Sequence, residues 1–247
     1  MVTKTSKIIG PDSFSPQKLP LRQLEKPRGD VVHLWHLDFK QLSNPLNPDK
    51  ATLSSKLSVF QQRTNRRFYL RLLLGAYLGL PGKDIHITRR IKGRPELDSA
   101  QSKGELDFSV ARSDDCYLIG ISSGATIGVD LEIAARRSGK PLALARRFFS
   151  EAESAALSLL DEEELHRAFM HTWACKEAMV KATGMGIANQ LCRFTVDVNP
   201  DIPPSVLDMQ DDDYTAWRLA MAEPAHGAIA VIAVRQKTVQ LKGFNLT

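Results

Sequence analysis

The stretch 161–184, DEEELHRAFMHTWACKEAMVKATG, limits what this chain can fold into more than any other. Asp161 followed three residues later by Glu164 is an N-terminal capping pattern, and Gly184 suits a C-terminal cap. Between them the sequence predicts one long helix. At about 100° per residue, Phe169, Met170, Trp173 and Val180 share a stripe that must be covered. Glu177 sits at roughly 40° from Trp173, inside that stripe, with Lys176 and Lys181 on its shoulders. A carboxylate among apolar neighbours is costly unless it is paired or metal-bound. The helix therefore needs a layer to pack on, and Glu177 needs a partner.

The layer is expected from strands. IGVDLEI (127–133) reads as one, and others are expected near 192–198, 214–222 and 227–235. Ahead of the long helix, Ser150 and Glu153 form a capping-box pattern in FFSEAESAALSLL. The first half runs in a similar order. A Pro-, Lys- and Ser-rich lead-in over 1–30 precedes the strand VVHLWHLDF (31–39), then the loop LSNPLNPDK and helical sequence at about 51–60. A longer helix is predicted from Arg63 to Leu80, with Phe68, Tyr69, Leu72, Leu73, Ala76 and Leu80 as its apolar face. Strands follow at about 84–89, 106–110 and 116–122, and SSGAT (122–126) breaks the pattern. The fold class expected is α+β: two similar α/β lobes related by a pseudo-twofold, each a long helix packed on a small sheet. The boundaries are 1–30 for the lead-in, 31–125 for the N-terminal lobe and 126–247 for the C-terminal lobe. A ligand site between the lobes is the default expectation.

At 247 residues, 43% hydrophobic and 25% charged, the chain has the composition of an ordinary globular protein. No apolar run is long enough to span a bilayer, and the first eighteen residues lack a signal-peptide core. Cys116, Cys175 and Cys192 are odd in number and without CxxC spacing, which argues for a reducing compartment, by default the cytoplasm. A net charge of +5 suits nucleic acid, a polyphosphorylated small molecule or an acidic protein.

Asp130 and Glu132, two apart on a strand, point to the same face. They could form the solvated side of an edge strand, and Glu177 could be held by Lys181 one turn on. Taken together, three oxygen-ligand residues without a matching His or Cys set favour a hard cation, Mg²⁺ or Mn²⁺, with substrate phosphate as a further ligand. Lys176 and Lys181 would then hold phosphate charge, and Glu177 could accept a proton from an attacking hydroxyl. The chemistry is metal-assisted phosphoryl-type transfer. Arg63, Arg66, Arg67 and Arg71 read mostly as a solvated basic face, followed by Lys92 and Arg94 in IKGRPEL. In GRP, glycine permits close approach of a ligand and proline stiffens the chain. Arg112 ends a strand in DFSVARSDD. His33, His36, His86 and His226 read as structural or exposed, while His166 and His171 lie in the long helix near its acidic start. No GxSxG elbow, Walker loop or GxGxxG turn occurs.

IGVDLE followed about forty residues on by WACKEAMVKATGMGI resembles the paired signatures of the 4′-phosphopantetheinyl transferases, in particular the two-lobed, surfactin-synthetase-activating type. VHLWHLDF, RRFYLRLLLGAYLG, GRPEL and RFFSEAE match further family segments in order, so the similarity spans about 31–200. The resemblance implies transfer of the phosphopantetheine arm of coenzyme A to a serine of an acyl- or peptidyl-carrier protein, releasing 3′,5′-ADP. By motif, Asp130, Glu132 and Glu177 would bind Mg²⁺, and Glu177 would also be the base. Lys176 and Lys181 would contact phosphate or the pantetheine end, and Trp173 would shape the wall. Arg67 with Gly93, Arg94 and Pro95 would hold the 3′-phospho-adenosine. A monomer is implied, with neither nucleic acid nor membrane as partner. A mildly basic enzyme is steered toward both a polyanionic co-substrate and an acidic carrier.

One triplet departs from the family. Ala111-Arg112-Ser113 stands where serine–histidine–serine is usual, and the usual histidine helps bind a coenzyme A phosphate. Arginine keeps the positive charge at every relevant pH. Two other readings compete. A catalytically silent carrier-binding scaffold would account for the altered triplet. A nucleic-acid module would need exposed aromatics interleaved with basic residues, whereas Phe68 and Tyr69 belong to the expected apolar face.

Overall fold

A computed structural model describes residues 8–42, 59–89, 93–133, 139–184, 186 and 190–247. Most of the helix expected at 51–60, and Lys92, lie outside these residues. The first part of the chain supplies β1 (Phe14–Gln17), β2 (Val31–Asp38), α1 (Val59–Leu78), β3 (Ile87–Arg89), β4 (Pro95–Leu97), α2 (Ser99–Ser102), β5 (Asp107–Ser113) and β6 (Cys116–Ser122). Then come β7 (Ile127–Ile133), α3 (Pro141–Phe148), α4 (Glu151–Leu157), α5 (Glu162–Thr183), β8 (Phe194–Val196) and β9 (Val206–Met209). β10 (Trp217–Ala222), β11 (Ala228–Arg235) and β12 (Gln240–Leu246) complete the order.

The architecture is mixed α/β. Five strands form one sheet in the order β1-β12-β2-β6-β5, and three form a second, β10-β11-β7. β12 runs parallel to both its neighbours, so a strand from beyond residue 239 lies inside the sheet built by the first half. The second sheet is antiparallel throughout. α1 covers one face of the five-stranded sheet, where Trp35, Leu37, Tyr69, Leu73, Tyr77 and Ile119 form a core. The opposite face meets the second sheet through Leu34, Leu118, Val129, Leu131, Ala230 and Ile232. α5 covers the far side of that second sheet, with Ala174, Ala178 and Met179 against Val231 and Ala233.

Strand alternation explains where the chemistry faces. Ile127, Val129 and Leu131 enter the core between the sheets, so Gly128, Asp130 and Glu132 face the α5 side. The caps of α5 are those expected: the Asp161 side chain accepts from the Glu164 amide, and Gly184 adopts the left-handed conformation with φ 69°. Ser150 and Glu153 make both bonds of a capping box at α4. The buried face of α1 differs from expectation. Tyr69, Leu70, Leu73, Leu74 and Tyr77 are buried, while Phe68 is exposed and Leu80 lies beyond the helix end. The segment 68–74 is apolar at every position but Arg71, so periodicity cannot choose the stripe. The core of the sheet chooses it instead.

His33 gives this core a pH response. Trp35 Nε1 donates to the Tyr77 hydroxyl at 2.8 Å, leaving the hydroxyl proton for His33 Nδ1 at 2.7 Å. Burial, with a smaller push from Lys242, lowers the His33 pKa to about 4. The folded protein therefore prefers neutral His33, while the unfolded chain protonates near the ordinary value of 6.5. This contribution to stability is intact above pH 6.5 and is lost as pH falls toward 4. Urea midpoints measured across that range decline, and His33→Asn flattens the decline; an unchanged slope in the variant would assign it to other groups.

Candidate active site

α5 meets β7 closely because of a glycine. A Cβ on Gly128 would run into the Ala178 carbonyl oxygen and the Ala182 amide, so this position brings the strand hard against the helix. Asp130 and Glu132 are thereby presented beside Glu177 and Lys181. Beyond them opens a cavity of about 920 Å³, the size of a large ligand site. Asp130, Glu132, Glu177 and Lys181 line one end, and Arg63, Arg66, Arg67, Arg89 and Arg112 line the rest with Tyr117, Leu70 and Pro95.

At the acidic end, Lys181 Nζ lies 2.5 Å from Asp130 Oδ1 and 3.6 Å from Glu177 Oε2. The second reading of Glu177, an ion pair one helical turn long, is thus present in the fold. It leaves charge uncompensated. Asp130 Oδ2 is buried with no hydrogen-bond partner. Burial, followed by the Asp130 charge, raises the Glu177 pKa above the ordinary carboxylate value, against the pull of Lys181. Asp130, Glu132 and Glu177 line this end together with Lys181. Such an all-oxygen donor set suits a hard divalent cation. Among the described residues, no three His, Cys, Asp or Glu side chains gather into a ready-made cage.

The basic end has the opposite deficit. Arg63, Arg66 and Arg67 follow helical spacing, so their side chains share a face of α1. Burial, then Arg112, lowers the Arg66 pKa, with Arg63 adding to it. Like charges gathered around part-buried Arg66 describe a receptor for anions. Arg63 and Arg67 are exposed, as the solvated-face reading expects, and Arg66 is part-buried; all three also line the cavity.

The structure gathers Arg67, Pro95, Arg112, Asp130, Glu132, Glu177 and Lys181 around one space. Gly93 lies close by, in an adjoining pocket of about 250 Å³ shared with Pro95 and Lys181. Three expectations need correction. Lys176 is fully buried on the far side of α5, 2.8 Å from Glu153 and donating to the Leu191 and Phe194 carbonyls at 2.6 Å. It has no route to a phosphate in the cavity. Trp173 packs with Phe148, Phe149 and Phe169 rather than on the cavity wall. Arg94 turns inward, to Asp107 and the backbone. His171 is buried and His166 belongs to the exposed start of α5; neither lines the cavity. Arg89, Tyr117 and Gly128 had no local signal, since their roles arise from partners far away in sequence.

Residues 126–233 match the sequence profile of the 4′-phosphopantetheinyl transferase superfamily. The chain is 31% identical over 215 residues to 4′-phosphopantetheinyl transferase HetI of Nostoc sp., covering 83% of this chain and 88% of that protein. It is 31% identical over 185 residues to 4′-phosphopantetheinyl transferase psf-1 of Bacillus pumilus, covering 69% of this chain and 75% of that one. With 4′-phosphopantetheinyl transferase Sfp of Bacillus subtilis the identity is 28% over 177 residues, 65% of this chain and 75% of that protein.

Proposed function

The chain belongs to the 4′-phosphopantetheinyl transferase superfamily, and we propose that it moves the phosphopantetheine arm of coenzyme A onto a carrier-protein serine with the help of Mg²⁺, releasing 3′,5′-ADP. The observation that carries this reading is the polarity of one cavity, five arginines along its walls and Asp130, Glu132, Glu177 and Lys181 at its end. Coenzyme A bears phosphate at two separated places, and a carboxylate is needed where the serine loses its proton.

In this reading Arg63, Arg66, Arg67 and Arg112 bind phosphate oxygens through charge-assisted hydrogen bonds. Glu177, whose raised pKa makes it a better proton acceptor than an exposed carboxylate, takes the serine hydroxyl proton. The serine oxygen bonds to the phosphorus nearer the pantetheine. The bond from that phosphorus to the bridging oxygen breaks, and its electron pair leaves with 3′,5′-ADP. Lys181 offsets charge on the phosphate oxygens during that step. A divalent cation held by Asp130, Glu132 and Glu177 would supply further neutralisation at the pyrophosphate.

The fold is read as two lobes, 31–125 and 126–247, corrected in that β1 of the lead-in over 1–30 and β12 of the second half both belong to the first lobe's sheet. α1 with β2-β6-β5 and α5 with β10-β11-β7 support a pseudo-twofold relation between them. Both walls of the cavity come from one chain, which supports a monomer. None of the described helices is long and apolar enough to cross a membrane. A cytoplasmic location, and carrier proteins rather than nucleic acid as macromolecular partners, complete the proposal.

The test is to incubate the protein with apo carrier proteins, coenzyme A and Mg²⁺ and to weigh the carriers by mass spectrometry. A gain of one phosphopantetheine arm is expected. Absence of any gain across fatty-acid, polyketide and peptide carriers would leave the silent-scaffold reading instead. Arg112 supplies a second measurement. Parent coenzyme A affinity stays nearly flat in pH from this position, whereas Arg112→His weakens binding as pH rises past about 6.5, where histidine loses its charge. An inert parent and an active histidine variant would reverse that conclusion.

A further inference from the structure

Arg94 borders the adjoining pocket with Gly93 and Pro95, yet its guanidinium is engaged by protein groups. Its side chain is 9% exposed, and Nη2 lies 2.6 Å from Asp107 Oδ2. Nη2 also donates to the Ile127 carbonyl at 3.0 Å, and Nη1 to the Ala182 carbonyl at 3.1 Å. Asp107 Oδ2 closes the network by accepting from the Ile127 amide at 3.2 Å. These partners are the starts of β5 and β7 and the last turn of α5. A cation at a helix C-terminus is favoured by the carbonyls and the dipole there.

The three elements tied together carry Arg112 and the acidic end of the site. Asp107 begins the strand that ends in Arg112, Ile127 begins the strand that carries Asp130, and Ala182 follows Lys181 on the helix of Glu177. A planar guanidinium bonds all three through a rigid fork, whereas an ammonium on a flexible stem fixes their relative directions less firmly. We propose that Arg94 is a positioning residue that sets the strand of Arg112 against the Glu177–Asp130–Lys181 end, and that it does not touch coenzyme A. The proposal rests on the transferase reading, and it predicts a loss in turnover where a phosphate ligand would show a loss in affinity.

The experiment measures kcat, KM for coenzyme A and the unfolding midpoint for the parent, Arg94→Ala, Arg94→Lys and Asp107→Asn. Rates are taken at a temperature where circular dichroism shows each protein folded. Arg94→Ala should lower kcat by about tenfold or more, as a misplacement near 1 Å can, with KM changed far less. Asp107→Asn, which touches no part of the cavity, should show the same split, and Arg94→Lys should restore turnover only in part. A raised KM with kcat retained would make Arg94 a ligand contact and overturn the proposal. A lowered midpoint with kcat per folded molecule unchanged would make it a stabilising contact only, and would overturn it equally. If Arg94→Ala does not fold, Asp107→Asn and Arg94→Lys decide by the same readings. An inactive parent would instead count against the transferase reading.

Discussion

Glu177→Gln lowers phosphopantetheine transfer by about 10²–10⁴-fold, the range for removing a positioned general base, and leaves the protein at least as stable as the parent at neutral pH. The two halves of this expectation share one cause. Glu177 is held partly buried beside Asp130, and its folded pKa is raised above the ordinary value. A carboxyl with a raised folded pKa stabilises the fold only at low pH and loses that contribution as pH rises through its titration. At neutral pH the ionised group therefore works against folding, and an uncharged amide of the same shape removes that strain. Steady-state transfer assays with chemical denaturation at pH 7.5 measure both quantities. Retained transfer would remove Glu177 as base and ligand, and a large fall in stability would mean that its pairing with Lys181 dominates.

Lys176→Met has the opposite profile, a large loss of stability and little loss of chemistry. Lys176 and Glu153 are both fully buried, and the Lys176 ammonium lies 4.3 Å from the centre of the Phe194 ring. Removing one partner of such a pair costs about 3–5 kcal/mol because the other charge is left behind. For a chain of this size that is roughly 10 °C in unfolding temperature. Glu153 keeps the Ser150 and Val196 amides as donors, at 2.8 and 2.7 Å, which places the cost toward the lower end. Adding Glu153→Gln to Lys176→Met recovers part of the loss. Below the transition, KM for coenzyme A in the single variant matches the parent. A selective rise in that KM would return Lys176 to the ligand site.

The contrast between these adjacent residues shows what the sequence could reveal. Glu177 was legible as a carboxylate facing inward, because its helix is bounded by unambiguous caps and its stripe is apolar. Lys176 looked equivalent from the sequence, one shoulder of the same motif. α5 is covered on most sides, by the second sheet, by α3 and α4, and by the segment around β8, so inward has more than one meaning. Only packing decides that Glu177 opens to the cavity while Lys176 meets Glu153. The same limit applied to Arg94, which borders the adjoining pocket with Gly93 and Pro95 while its guanidinium bonds to Asp107 and the backbone. The cavity beside Arg63 and Arg66 was hidden for a different reason. A basic helix face usually reads as solvated, and its lining of a cavity depends on β5 and β7, far along the chain. The carboxylates of β7 were readable because alternation along a strand is strict.

β12 carries a consequence for synthesis. Its partner in the sheet, β2, is complete by Asp38, yet the strand that pairs with it spans Gln240–Leu246. About two hundred residues must emerge from the ribosome before that pairing can form. Until then one flank of β2 presents unpaired amides and carbonyls, the kind of edge that recruits other chains. Contacts this distant in sequence also make folding slow. The nascent first half thus has a period of exposure fixed by the rate of translation, and slower elongation lengthens it.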